Sequence, residues 1–375
     1  MNMQGLPLDF YETVIYQLRS LYNRYGYSQY KMSKFEEYDL YARSKDFLIS
    51  DGVITFTDLD GKLMALKPDV TLSIVKNSKD VPETVQKLYY NENVYRVSKG
   101  SRSFREIMQV GLECLGNVDD YCICEVLTLA AESLRLISEN SILSVSHFGL
   151  LLELVDGMGI SARYRDMVLK AVGEKNAHEL TRICMDAGVS EPDALLLKQL
   201  AAIKGSIDSV MPILVALLDG KVSTETLRQM QYIGQMLAKS GAADRIRIDF
   251  SVVDDVHYYN GIVFKGFVAG LPASVLSGGQ YDKLMQKLHR KSAAIGFAVY
   301  MDALERLDTS VRSFDADILL LYGENTDLSA VMELADAWRQ QGSSVMVQKE
   351  KPENMRFRKI YQFSSGEVKE IENDA

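Results

Sequence analysis

The chain has 375 residues, 47% of them hydrophobic, and its 42 basic and 51 acidic side chains give a formal net charge of −9. This is enough apolar material for a large core in two or three domains, and the acidic balance argues against a polyanion-binding protein, which needs clustered Lys and Arg. No apolar run approaches the roughly 20 residues of a membrane span, and the opening segment MNMQGLPLDFYETV lacks the basic-then-apolar layout of a secretion signal.

Apolar residues at helical spacing (Phe10, Val14, Ile15, Leu18, Leu21) predict an amphipathic helix from about Asp9 to Tyr25. GYSQYKMSKFEEYDLY then predicts a strand leading into a loop. Val53–Thr57 and Leu63–Leu66 flank Asp60-Gly61, a hairpin signal. Pro68-Asp69 suits a turn entering a helix, with Asp69 or Thr71 either as N-cap or as a ligand contact.

Ile107 to Leu115 alternates with period 2. Met108, Val110, Leu112 and Cys114 form an apolar face, while Gln109, Gly111 and Glu113 form a polar one with a gap at its centre. At the usual strand rise the Gln109 and Glu113 Cα atoms are ~13 Å apart, so their side chains are expected to lean over Gly111 and grip a small polar molecule.

A helix follows at about Cys122–Leu136 and a strand at Ile142–Phe148. Gly149 to Gly241 is helical in pattern without a strand signal, with turns at Gly157, Gly159, Gly188 and Gly220, which predicts an inserted helical subdomain. Strands are expected at Arg245–Val268 and Ser274–Ser277, and helices at Tyr281–His289 and Val299–Leu307. After Ser313 come a strand (Ile318–Tyr322), a helix (Leu328–Gln341) and strands near Ser344–Gln348 and Lys359–Phe363. The charged end GEVKEIENDA is expected to fray. Residues 1–312 are thus read as one domain with an insertion at 149–241, and residues 313–375 as a small α/β segment.

Several segments carry a family resemblance. Tyr95-Arg96-Val97-Ser98, a basic Ser98–Ser103 loop, and Arg105-Glu106-Ile107-Met108-Gln109-Val110-Gly111-Leu112-Glu113-Cys114-Leu115-Gly116 resemble motif 2 of class II aminoacyl-tRNA synthetases, in particular histidyl-tRNA synthetase (FRxE, then RQFHQxGxExxG), with Ser98 at the position of the family's Glu. GYSQYKMSKFEEYDLY resembles motif 1, with Ser33 at the usual Pro. Leu66-Lys67-Pro68-Asp69-Val70-Thr71 is similar to the LRPEGT segment, and Val252 to Phe264 to the signature LVRGLDYYxGxVFE. Ser277-Gly278-Gly279-Gln280-Tyr281-Asp282-Lys283-Leu284 is similar to GGRYDxL, with Gln280 for Arg; the glycine pair suits either close approach to a ligand or a tight strand-to-helix turn. Ala294 to Leu304 resembles motif 3, GFAxGxERL.

The resemblance implies a class II synthetase-like α+β fold, an antiparallel sheet flanked by helices with a helical insertion and a short α/β tail, and a motif 1 dimer. It implies a histidine-like pocket lined by Asp69, Thr71, Arg96, Gln109, Glu113, Tyr258, Tyr259, Gly279 and Tyr281. Two arginines of the family's chemistry are replaced, by Asp254 in the signature and by Ala303 in motif 3. An acid where a cation should stabilise a developing anion works against adenylate formation; losing one such donor typically costs ~100- to 1000-fold in rate. Arg306, three residues beyond Ala303, is displaced by about 4.5 Å along a helix, too far to substitute for it.

This combination resembles the regulatory subunits of ATP phosphoribosyltransferase, which are synthetase paralogues. The implied partner is a short-form catalytic phosphoribosyltransferase, the implied ligand L-histidine, and no synthetase activity, catalytic residue, cofactor or metal is expected. The tail is shorter than a synthetase's anticodon-binding domain. The alternatives are an active histidyl-tRNA synthetase, for which Arg96 and Arg105 speak, and a synthetase-like module sensing tRNA, which would need a basic RNA-facing surface.

His147, His178, His257 and His289 form no catalytic or metal pattern; His257, in the signature, is either a strand residue or a proton shuttle. Cys114, Cys122, Cys124 and Cys184 show no CxxC spacing, which favours buried thiols and a cytoplasmic, reducing compartment.

Overall fold

The computed structural model describes residues 8–42, 52–97, 103–252, 258–307, 314–364 and 366–373. They form a large unit, Tyr11–Leu307, and a small one made chiefly of the residues after it.

The large unit opens with α1 (Phe10–Arg24), then β1 (Ser28–Gln29), β2 (Phe35–Glu37), α2 (Asp39–Ala42), β3 (Thr55–Thr57) and β4 (Leu63–Leu66). β2, β4 and β3 make a small antiparallel sheet, with Gly61 (φ +81) turning the predicted hairpin. α3 (Val70–Asn77) starts at Asp69, whose carboxylate accepts the Leu72 N–H at 2.9 Å, and buries Val70, Leu72, Ile74 and Val75. The long strands β5 (Val85–Val97) and β6 (Phe104–Gly116) pair along their whole length, followed by α4 (Asp120–Ile137) and β7 (Ser141–His147).

The insertion comprises α5 (Phe148–Gly157), α6 (Ala162–Gly173), α7 (Ala177–Asp186), α8 (Glu191–Ala202), β8 (Lys204–Ser206), α9 (Ile207–Leu218) and α10 (Thr224–Ala238). Asn176, Ser190, Ser206 and Ser223 supply side-chain N-caps to four of these helices, which is why the polar turns separate them so cleanly. The expectation of no strand here is corrected: Lys204–Ser206 pairs antiparallel with β9 (Ile246–Asp249). A three-residue strand is too short for its alternation to show in sequence.

β10 (Ile262–Val268), β11 (Leu276–Gln280), α11 (Asp282–Lys287) and β12 (Ala293–Tyr300) complete the core, and a 3₁₀ helix spans Met301–Leu307. The nine-stranded sheet has the order β1-β5-β6-β12-β11-β10-β7-β9-β8. Its centre from β5 to β7 is antiparallel, as expected for the family, with parallel pairs at β1–β5 and β7–β9. One local expectation is corrected, and one open alternative is decided. The helix predicted from Val299 is strand up to Tyr300, because small Ala294, Gly296 and Ala298 alternate with Phe297 and Val299. The glycine pair lies inside β11 rather than in a turn: a Cβ on Gly278 would sit 2.3 Å from the Gly296 carbonyl of the neighbouring strand.

Val110, Leu112 and Cys114 are wholly buried on the back of the sheet. Tyr22 of α1 stacks there against Tyr89 and Phe297 (6.2 and 6.0 Å between centroids), and its hydroxyl meets Ser133 of α4 at 3.0 Å. α3 and α11 cover part of the front, the face of Gln109, Gly111 and Glu113.

In the small unit β13 (Ala316–Tyr322), α12 (Leu328–Gln340), β14 (Val345–Gln348), β15 (Phe357–Ser364) and β16 (Glu367–Asn373) form a sheet in the order β14-β13-β15-β16. β14, β13 and β15 run parallel, and α12 packs Val331 and Ala335 against Leu320 and Phe363. The charged end does not fray as expected: β16 pairs antiparallel with β15, Tyr361 donates to Glu370 at 2.7 Å, and Lys351 meets Glu372 at 2.7 Å. Charges that alternate along a strand can pair with a neighbouring strand, which composition alone does not reveal.

β6 ends at Gly116 (φ +115), where a Cβ would lie 1.9 Å from the Thr84 carbonyl, whereas Gly61 (φ +81) faces open space. Gly61→Ala is expected to cost about 1 kcal/mol, the effect of a left-handed backbone alone. Gly116→Ala should cost clearly more in urea denaturation, at unchanged m-value, because backbone must also move.

Candidate functional site

Glu113 sits on the front of β6, 1% exposed. Thr71 of α3 donates to its Oε1 at 2.7 Å, and Tyr281, between β11 and α11, donates to Oε2 at 2.5 Å. The neighbouring strand β12 makes room by having no side chain at the residue opposite: a Cβ on Gly296 would fall 1.8 Å from Glu113 Oε2. Burial pushes the Glu113 carboxyl up to about 8, against the pull of the Tyr281 and Thr71 hydroxyls and with a further push from Asp69.

Asp69, 5% exposed, caps α3 and faces Arg96 at 3.9 Å. Burial raises its carboxyl, while Arg96 and the backbone N–H groups of Leu72 and Thr71 oppose the rise. Arg96 is itself fixed by donating from Nε to the Pro68 carbonyl at 2.9 Å. The N-cap and site roles of Asp69 are therefore compatible, since one oxygen serves the helix and the other faces the guanidinium.

The tyrosines close one side. Tyr258 packs edge-on to Tyr259 (4.7 Å between centroids) and lies 5.9 Å from the Tyr281 ring. Tyr259 lies over Gly279, where a Cβ would be 2.7 Å from its ring. Burial, then the neighbouring carboxylates, push the phenols of Tyr90, Tyr258 and Tyr281 upward, so all three stay neutral hydrogen-bonding groups.

Two features differ from the sequence picture. The space above Gly111 is filled: Tyr90 is its direct partner on β5, and a Cβ at Gly111 would lie 2.5 Å from the Tyr90 hydroxyl. Glu113 is already engaged with Thr71 and Tyr281 rather than reaching toward Gln109. Gln109, 4% exposed and flanked across the strands by Glu92 and Tyr300, makes no side-chain hydrogen bond among the described residues. It is a polar group on this face with hydrogen-bonding capacity left over.

Sequence reasoning missed Tyr90, Gly296 and the buried pair Lys67–Glu92 (2.9 Å), in which burial pulls the lysine down and Glu92 opposes. Only strand register reveals the first two. The nine predicted pocket residues all lie on this face or the elements covering it. Asp254 and His257 lie outside the described residues, as does most of the basic loop that begins at Ser98. Ala303 is half-buried in the 3₁₀ helix after β12, and Arg306 is exposed. Gln280 serves the backbone, since its Oε1 accepts the Ile262 N–H at 2.7 Å and so joins the start of β10 to the end of β11. His147 caps α5 through Nδ1, accepting from Leu150 at 3.0 Å, and burial lowers it to about 4.

The site offers two buried carboxyl groups, phenolic hydroxyls, an unengaged amide and an aromatic wall, a set that suits a cationic amine beside a flat polar ring. Because Glu113 binds its proton more tightly folded (about 8) than at its ordinary 4.5, its contribution to stability is complete below pH about 4.5 and declines as pH rises through 8. Glu113→Gln should remove that decline, so the stability difference between variant and parent is expected to shift in the variant's favour from pH 5 to pH 8.5 in urea titrations.

A sequence model described as histidyl-tRNA synthetase matches residues 8–304. The ATP phosphoribosyltransferase regulatory subunit of Oceanobacillus iheyensis is 24% identical over 355 residues, covering 92% of this chain and 87% of that protein. A Bacillus halodurans structure described as an ATP phosphoribosyltransferase regulatory subunit/histidyl-tRNA synthetase superposes with TM-score 0.74 at 23% identity, covering 93% of this chain and 92% of the other. The ATP phosphoribosyl transferase (HisG:HisZ) complex of Thermotoga maritima includes a chain with TM-score 0.59 at 18% identity, covering 77% and 96%. With its sheet, its site segments and nearly the whole of the large unit matched, the chain belongs to the histidyl-tRNA synthetase family.

Proposed function

We propose that the chain is a non-catalytic regulatory subunit of ATP phosphoribosyltransferase, required with a short-form catalytic subunit for the first step of histidine biosynthesis. The observation that carries this reading is similarity along 92% of the chain to a protein bearing that name, and it is supported by Ala303 at the position of the motif 3 arginine beside a buried face of carboxyl groups and phenols. Glu113, Asp69 and the tyrosines are placed to receive an amino acid; Arg96 is the cation beside them, and it is held by Asp69 and Pro68. In this reading the site binds but, with alanine at the motif 3 arginine's position, has less of the positive field that adenylate formation needs.

In the proposed role, L-histidine enters over Gln109 and the Tyr258–Tyr259 wall, and its binding shifts the hetero-oligomer toward a less active state through a coupling free energy of about 1–3 kcal/mol. Self-association as a dimer is part of the proposal. Phe35 and Phe56 stack at 5.3 Å on the small sheet while 49% and 38% exposed, an apolar surface suited to a second copy. A cytoplasmic setting is proposed from the four free, buried thiols; no described helix is long and apolar enough to cross a membrane.

The test is reconstitution with a short-form catalytic subunit that is inactive alone. Co-elution and restored phosphoribosyl-ATP synthesis are expected, with no histidine-dependent ATP–pyrophosphate exchange by this chain. Exchange at an ordinary enzymatic rate would establish the synthetase alternative instead, and binding of total tRNA at physiological salt the sensing alternative.

Calorimetry with L-histidine addresses the pocket separately. Binding is expected, and Gln109→Ala should weaken it about tenfold, the loss of roughly one buried hydrogen bond. Absence of heat at millimolar histidine, with and without the catalytic subunit, would reject the pocket and leave the regulatory reading to the reconstitution.

A further inference from the structure

The tyrosines of the pocket come from two separate segments, and the residues that follow them meet. Tyr258-Tyr259 is followed by Asn260, and Tyr281 by Asp282. Asn260 and Asp282 bond each other in both directions. Asn260 Nδ2 donates to Asp282 Oδ2 at 3.0 Å, and the Asp282 N–H donates to Asn260 Oδ1 at 2.8 Å. The other carboxylate oxygen, Oδ1, accepts the Ala294 N–H at 2.8 Å, near the start of β12. Backbone closes the same corner, since the Asn260 N–H donates to the Gln280 carbonyl at 3.1 Å and the Tyr281 N–H to the Ala294 carbonyl at 3.0 Å.

An acid in the first turn of a helix ordinarily serves that helix's own N–H groups and dipole. Asp282, in the first turn of α11, instead turns both oxygens outward, to Asn260 and to Ala294. The arrangement has a chemical sense that cannot be reversed, because a carboxylate only accepts and an amide offers one accepting and one donating end. What hangs on it is the pocket wall: the Tyr258 ring lies 5.9 Å from that of Tyr281, whose hydroxyl reaches Glu113 at 2.5 Å.

We propose that Asn260 and Asp282 are positioning residues of the pocket, whose reciprocal hydrogen bonds set the Tyr258–Tyr259 wall and Tyr281 at the separation that the amino-acid ligand meets. The inference rests on the ligand reading of this site and extends it to two residues outside the predicted set.

The experiment uses the full-length chain, calorimetry with L-histidine, and native-state hydrogen exchange without ligand. In Asp282→Asn, whichever way the two amides turn, one donor faces another; Asn260→Asp sets two carboxylates together. The double variant, Asn260→Asp with Asp282→Asn, restores every donor–acceptor match at unchanged net charge. Each single variant is expected to weaken histidine binding about tenfold, the loss of roughly one hydrogen bond, and the double variant to recover it. Exchange should quicken in both 258–262 and 280–284 in either single variant, although each alters only one of those segments, and slow again in the double variant. Single variants that bind like the parent, or a double variant as weak as the singles, would overturn the proposal. So would faster exchange across the whole sheet with affinity unchanged, the mark of a structural brace only. If the parent binds no histidine, the ligand reading fails by itself and the exchange pattern decides the rest: quickening confined to the substituted segment rejects the Asn260–Asp282 link as well.

Discussion

The front of the large sheet is organised around one buried carboxyl group. Taking Glu113 out of water costs several kcal/mol unless its oxygens are satisfied, and both are, by hydroxyls from two different elements. Thr71 and Tyr281 lie 210 residues apart in sequence, and each must reach the same group, which fixes α3 and the β11–α11 junction on the sheet. The demand extends to backbone: Gly296 has no side chain because the Glu113 carboxyl occupies that space. Removing Tyr281 would leave a buried oxygen unpaired, and adding bulk at Gly296 would evict it. The two faults are one constraint seen from opposite sides.

Further buried polar links extend the same logic. Glu36 of β2 accepts from Ser73 at 2.5 Å, from Asn77 at 3.2 Å and from Tyr41, so α2 and α3 are tied to the small sheet through one carboxylate. Lys67, wholly buried, joins the segment before α3 to Glu92 of β5. Partly satisfied networks of this kind destabilise, whereas fully satisfied ones specify a single arrangement. The consequence is a stiff surround in which Gln109 stands out for its unengaged amide. A ligand that satisfies it displaces little and orders little, the condition for affinity from few contacts.

Legibility in the sequence follows the range of the interactions involved. The strand through Gln109, Gly111 and Glu113 is readable because alternation is local, and Asp69 as an N-cap because capping spans three residues. What Gly111 accommodates is not readable. Cross-strand register decides it, and the phenol of Tyr90 fills what alternation alone presents as an open floor. The role of Gln280 is hidden in the same way, since its partner is the Ile262 N–H on the neighbouring strand. At β12 the helical expectation from Val299 fails because an element boundary falls inside an apolar run, where both periodicities fit. Composition misleads at β16, since charges that look like solvated coil gain partners once Tyr361 stands opposite Glu370 in the ladder and Lys351, in the connection before β15, meets Glu372.

The departures from the synthetase pattern have a common physical sense. An arginine serving adenylate chemistry must stay exposed to the reacting phosphate, available and therefore unsatisfied in the free protein. At the motif 3 position this chain carries the apolar, half-buried Ala303, and where the GGRYDxL segment has arginine it carries Gln280, which commits its oxygen to backbone and joins β10 to β11. Each change exchanges a field that would stabilise a transition state for stiffness in the ground state. A catalyst would lose rate by that exchange. A subunit whose proposed role is to recognise a ligand and report it to a partner benefits, because coupling between distant sites depends on elements that move as units. Glu113 shows the arrangement at one residue, with one side of its strand meeting the pocket and the next residue along packing against α4.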